Sequence, residues 1–267
     1  MPTQIERFLT PRRIPKSDRA RGSPPEITRL EALPSLPASL TAYKTQNAKG
    51  REMTHARWIS VIMAGIAATM TAGQASAQEA HAHIGHVMTA WPEAPDGNGL
   101  LIVAQGEAAI ALQHAEYALA NPTDLDSIRL HSGHVLHAID PTAIDGGPGL
   151  GYGLEKAASG VVAHIGYAAA SSDASDNVKT HAEHVAASAR NATVWSVEIL
   201  SLIRQIEIND DSKHANIMAG RVKHLLVCVV NGCDANQDGT ISWASGEGGL
   251  AQASQHMQYM MQGEGLD

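Results

Sequence analysis

Histidine is the residue type best placed to do chemistry in this chain: it accounts for fourteen of 267 residues, thirteen of them after position 77. A neutral imidazole suits zinc, copper, iron or nickel, and two imidazoles can hold a haem iron from opposite faces. On helical wheels, His114 falls within an apolar stripe of Leu100, Val103, Ile110, Ala111 and Ala118, and Glu107 shares that stripe two turns earlier. His181 lies among Val178, Val185, Ala189 and Ala192 with His184 at their flank, and His164 borders the stripe of Ala157, Val161 and Ala168. Buried polar groups need partners. The expectation is a ligand set inside a helical bundle, made of Glu107, His114, His164 and His181 with His131 or His184, holding a transition metal (zinc, copper or iron) or haem. The competing expectation is that each interior histidine simply bonds a neighbouring helix. In HSGHVLH, His134 and His137 point away from the apolar face of Leu125, Ile128, Val135, Leu136 and Ile139, with His131 between.

A second constellation is DANQDGTISWASGE, Asp234 to Glu247. Calcium is a hard ion that takes six to eight oxygens, and alternate side chains on a tight turn can converge on it. The run resembles an EF-hand loop. Asp234, Asn236 and Asp238 stand at its first, third and fifth places, Gly239 at the sixth, Thr240 at the seventh and the apolar Ile241 at the eighth. The resemblance covers about the last fifth of the chain. It implies a calcium site built from Asp234, Asn236, Asp238, the Thr240 carbonyl and Ser242 at the ninth place. The chain departs from the pattern at the twelfth place, where Ser245 replaces the bidentate glutamate; Glu247, two residues later among glycines, could swing back. Binding on the order of 0.1 to 1 mM would suit an extracellular setting. EF-hands usually work in pairs, so a lone loop implies a homodimer or a protein partner. Cys228 and Cys233 flank VVNG just before this loop and read as a small disulfide staple.

The elements that must position these groups are helical. Apolar periodicity predicts helices over Gly99 to Ala120, Asp124 to Ile139 with Thr123 as N-cap, Leu154 to Ala170, Asp176 to Ile208, Ser212 to Val230 and Gly249 to Gln262. The fold class is therefore all-α: an antiparallel four-helix bundle over 78–211, followed by an EF-hand-like helix-loop-helix over 212–267. No internal repeat stands out. The glycine-rich GPGLGYGLEK reads as a flexible helix connection, because no strand precedes it and no Gly-Lys-Ser/Thr follows. His81, His83 and His86 would form a metal-capture tail at the mature N-terminus. His256 with Met257, Met260 and Met261 could take copper(I), although methionines at this spacing usually make an apolar helix face. The Glu-x-x-His pairs of bundle di-iron proteins are absent, and no nucleophilic triad or carboxylate pair marks a catalytic centre.

Residues 53–77 carry a start methionine, a basic residue at Arg57, an apolar run and Ala75-Ser76-Ala77, in the order of a secretory signal peptide. Export to the periplasm or medium follows, with no membrane attachment after cleavage. Residues 1–52, with ten Lys/Arg against five Asp/Glu, then read as a mis-assigned start or a disordered leader. From Gln78 onward eight Lys/Arg face twenty-two Asp/Glu, and aromatics are only 4% of the chain. Such a body offers phosphates no basic patch and bases few stacking platforms, which argues against nucleic acid. The function this sequence supports first is calcium binding at the acidic loop. The alternative is a transition-metal or haem carrier, or an electron-transfer protein, using interior histidines.

Overall fold

The computed structural model describes residues 79–266. The signal-peptide pattern and the leader lie outside them. The described residues fall in one compact unit and hold seven α-helices: α1 (Glu79–Met88), α2 (Leu100–Ala118), α3 (Leu125–Ile139), α4 (Leu154–Ala170), α5 (Asp176–Ile208), α6 (Ser212–Asn231) and α7 (Leu250–Glu264). No strand occurs among them. The all-α expectation therefore holds, and α1 joins it where a free tail was expected.

Local chemistry accounts for where the helices begin. Asp124, not Thr123, caps α3, its carboxylate accepting from Ser127 N–H. Ser175 accepts from Val178 N–H at the start of α5, and Asp211 from Lys213 N–H at the start of α6. Each side-chain acceptor satisfies one of the backbone donors a helix start leaves without a partner. The α2 start needs Gly99 because a Cβ there would lie 2.4 Å from the Met88 carbonyl carbon. This contact lets α2 begin against the end of α1.

The long helix α5, about 50 Å at 1.5 Å per residue, is the axis along which the others pack. The start of α3 meets the end of α5 where Arg129 donates to Asn209 O at 2.8 Å and to Asp210 Oδ1 at 2.9 Å. The end of α7 meets the start of α5 where Asn177 donates to Met260 O at 3.0 Å. Helices α3 and α4 therefore follow one another antiparallel to α5, one along each half of it, and α6 and α7 do the same. Helix α1 runs antiparallel to α4: Asp173 accepts from Glu79 N–H and Ala80 N–H at one end, and Trp91 Nε1–H donates to Tyr152 Oη at 3.1 Å at the other. Because α6 and α7 pack along α5, they belong to the same body as the preceding helices and are not an appended pair.

Alanines dominate the buried faces, among them Ala104, Ala108, Ala111 and Ala115 on α2 and Ala182, Ala186, Ala189 and Ala192 on α5. Small side chains bring helix axes close, which compensates for the scarcity of aromatic bulk. Glu107 is fully buried on α2 and accepts from Leu150 N–H, Tyr152 N–H and Gly153 N–H at 2.9 to 3.0 Å. The glycine-rich connection expected to be flexible is thus strapped to α2 by one carboxylate. Gly153 has φ of 89°, and a Cβ there would sit 2.7 Å from Pro141 Cδ, so only glycine fits this turn into α4.

Candidate metal centres

The interior histidines do not converge on one site. They form three separate triads, each with two histidines one turn apart on one helix and a third on an antiparallel neighbour. In the first, His83 and His86 of α1 place their Nδ1 atoms 3.0 and 3.2 Å from Nδ1 of His164 on α4. In the second, His131 and His134 of α3 lie at 3.2 Å from Nδ1 of His114 on α2. In the third, His181 and His184 of α5 lie at 3.1 and 3.2 Å from Nδ1 of His256 on α7. The single histidine is the hub each time. Spacing of i and i+3 puts the paired rings on one face of their helix, which is why H-x-x-H presents two ligands together.

One nitrogen cannot satisfy two others by sharing protons. A neutral imidazole has either one N–H or one lone pair at Nδ1, yet each hub Nδ1 faces two more Nδ1 atoms at hydrogen-bond distance. With the proton on Nε2 in every ring, three lone pairs point at one place. A cation resolves the conflict: three nitrogens at about 2.0 to 2.1 Å from an ion in tetrahedral geometry stand about 3.3 Å apart, close to the two hub distances in each triad, and the ligand atoms of each triad all lie within 4.8 Å of one another. All nine rings are half-buried at the edge of the helical body. Burial, with the charge of triad neighbours second, pushes the pKa of His86, His114, His134 and His164 below the ordinary value; His184 is lowered by burial and then by His181, against a smaller opposite pull from Glu183. For His256 the same two causes push it down to about 4. These six imidazoles are therefore neutral at pH 7 and able to offer a lone pair.

That depression has a consequence for the metal-free protein. His256 titrates near 6.5 when unfolded and near 4 when folded, so between those values the unfolded chain binds more protons. Its contribution to stability is complete above pH 6.5 and is lost as pH falls towards 4. The metal-free melting temperature should drop across that window in differential scanning calorimetry, and His256→Gln should flatten the drop; an unchanged slope would contradict it.

A tyrosine accompanies every hub, one turn further along its helix: Tyr167 after His164, Tyr117 after His114 and Tyr259 after His256. Each tyrosine ring lies 5.3 to 5.8 Å from the hub ring and from the first ring of the pair. Tryptophans flank two of the triads. Trp91 lies 4.6 Å from the His164 ring, and Trp243 stacks on His184 at 3.9 Å. The sequence carried a signal for this that the helical wheels missed. H-x-x-Y followed by H-x-x-H occurs at His114, Tyr117, His131 and His134, and again fifty positions on at His164, Tyr167, His181 and His184. A repeat is thus present where none was expected. The α2–α3 hairpin makes a triad within itself, while α4 and α5 direct their halves outward to α1 and α7.

Of the expected ligand set, His114 and His131 share one triad, His164 belongs to another, and His181 and His184 to a third, while Glu107 joins none of them. His83, His86, His134 and His256 complete the triads. Among the other histidines, His137 bonds Pro148 O at 3.0 Å, His81 pairs with Glu264 at 3.0 Å, and His214 is exposed. A fourth group brings His224 beside Cys228 and Cys233, which stand at disulfide distance with Cα atoms 5.0 Å apart.

In the acidic loop, Asp234 accepts from Asp238 N–H at 3.1 Å and Gly239 N–H at 2.9 Å, Asn236 accepts from Asp238 N–H at 2.9 Å, and Asp238 accepts from Thr240 N–H at 2.8 Å. The hydroxyl and N–H of Thr240, with a smaller part from Asn236, hold the Asp238 carboxyl below its usual range. Glu247 is 4% exposed, and its Oε2 accepts from Ser242 Oγ at 2.6 Å. The Ser242 N–H donates to the same oxygen at 3.2 Å. No protein-family model, curated protein or solved structure matches the chain.

Proposed function

We propose that this protein is an exported carrier or store of transition-metal ions, one ion in each of the triads His83/His86/His164, His114/His131/His134 and His181/His184/His256. The observation that carries the reading is the convergence of three Nδ1 atoms in three separate places, each a spacing that proton sharing cannot satisfy. All-imidazole donor sets suit zinc, copper, iron and nickel. Nitrogens this close leave no slot for a flat macrocycle between them, which favours a bare ion over haem. The triads lie at the surface with a coordination position to spare, an arrangement that lets ions enter and leave. No helix of the described residues is long and apolar enough to cross a membrane, and the A-x-A pattern before Gln78 supports export. Titration of chelator-stripped protein with copper and with zinc, read by elemental analysis after dialysis, should give three equivalents; retention of none would overturn the reading.

A second reading, calcium at the acidic loop, is favoured by Glu247 facing Ser242, since a carboxylate turned to the ninth place can stand in for the missing twelfth-place glutamate. Asp234, Asn236, Asp238 and the Thr240 carbonyl would supply the other oxygens. Calcium at millimolar concentration should then raise the melting temperature, and joint replacement of Asp234 and Asp238 by alanine should abolish the rise. An unresponsive wild-type protein would dispose of the loop as a calcium site.

A further inference from the structure

We propose that His224, Cys228 and Cys233 form a fourth metal site, closed while the two cysteines are joined and opened by reduction, that takes a thiophilic ion such as copper(I) or zinc. His224 and Cys228 are four residues apart on α6 and so share a helix face, with His224 Nε2 at 3.8 Å from Cys228 Sγ. The three ligand atoms all lie within 4.8 Å of one another. Thiolates with imidazole are a donor set for zinc and copper(I), distinct from the sulfur-free triads. Two thiolates on a tetrahedral ion at about 2.3 Å stand about 3.8 Å apart, a separation that side-chain rotation supplies because the backbone already holds the Cα atoms 5.0 Å apart. That backbone is fixed on both sides. Gly232 N–H donates to Cys228 O and Cys233 N–H to Glu247 O, each at 2.8 Å. Cys228 is buried, whereas Cys233 is partly open and His224 exposed, so reductant and ion approach from the same side.

The chemistry balances with a dithiol reductant. Its two thiols pass two electrons and two protons to the Cys228–Cys233 bond, the sulfur–sulfur bond breaks, two thiols form, and the reductant leaves as a disulfide. The entering ion displaces both thiol protons, while His224 binds through its Nε2 lone pair and releases none.

Cobalt(II) is a suitable probe because only sulfur ligation gives a thiolate charge-transfer band, and the triads carry no sulfur. Full-length protein reduced with a phosphine should bind one cobalt more than the oxidised protein and show that band. Joint replacement of Cys228 and Cys233 by serine should remove both the band and the extra equivalent. His224→Ala should weaken the reduced site tenfold or more. A reduced protein without the band overturns the proposal, as does a band whose cobalt affinity is unchanged by His224→Ala. The triads are scored separately in the oxidised protein, so their failure and this site's failure give different results.

Discussion

Alanine in place of His114, His164 or His256 should each remove one metal ion from a complement of three, and the triple variant should bind none at the triads. These are the hub residues, whose Nδ1 atoms face both partners in their triads. Losing a hub leaves two imidazoles on one helix with no third nitrogen opposite. The affected site should lose more than the roughly 10- to 100-fold that removal of an outer-shell partner costs. Folding should survive, because each hub is half-buried and its substitution opens no cavity in the alanine core; metal-free melting curves would confirm this. Replacing the exposed His214 should leave all three equivalents in place. Metal counted by elemental analysis after dialysis checks the set. If single hub variants still hold three ions, or if one substitution empties all three sites, the triads are not independent ligand sets.

The fold was legible to a useful degree because helix boundaries are local. Aligned apolar stripes and Pro141 after α3 are short-range signals, and α2 to α7 begin and end close to where periodicity places them. Helix α1 escapes the sequence because a ten-residue segment beside a cleavage pattern reads as a free end, and its place depends on distant groups, Asp173 of the α4–α5 connection and Glu264 of α7. The site was half legible. Alanine-rich helices have broad apolar arcs, so a wheel cannot separate a residue at the stripe's centre, such as the fully buried Glu107, from one at its edge, such as the half-buried His114. Which pair of histidines meets which hub is a tertiary fact: His164 sits seventeen positions before His181, as His114 does before His131, yet only the second of these pairs meets. The fifty-residue offset and the H-x-x-Y motif were open to inspection and would have shown that hubs and pairs are different kinds of half-site.

The contrast between Glu107 and the hubs leads to the largest expected effect on stability. Glu107→Ala should lower the melting temperature by roughly 6 to 20 °C and leave the metal count at three. The carboxylate is fully buried and accepts three backbone N–H groups from Leu150, Tyr152 and Gly153. Deleting it strands the buried Tyr152 and Gly153 donors away from water at about 1 to 3 kcal/mol for each, and takes the partner from the part-buried Leu150 N–H. A total of about 3 to 5 kcal/mol corresponds to about 2 to 4 °C per kcal/mol in a domain of this size. Glu107→Gln should fall between the two. Its carbonyl can keep the bonds to Tyr152 and Gly153, but its amide would turn an N–H towards the Leu150 N–H, a donor against a donor. If Glu107→Ala instead lost a metal ion while keeping its melting temperature, Glu107 would be a ligand as helical periodicity suggested, and the strap across the α3–α4 connection would not be its role. The strap holds the end of α3 to the start of α4, and thereby fixes the order in which two triad-bearing helices follow one another along α5. It acts on the scaffold between the triads, which is why stability and metal content should separate in this variant and move together in none of the hubs.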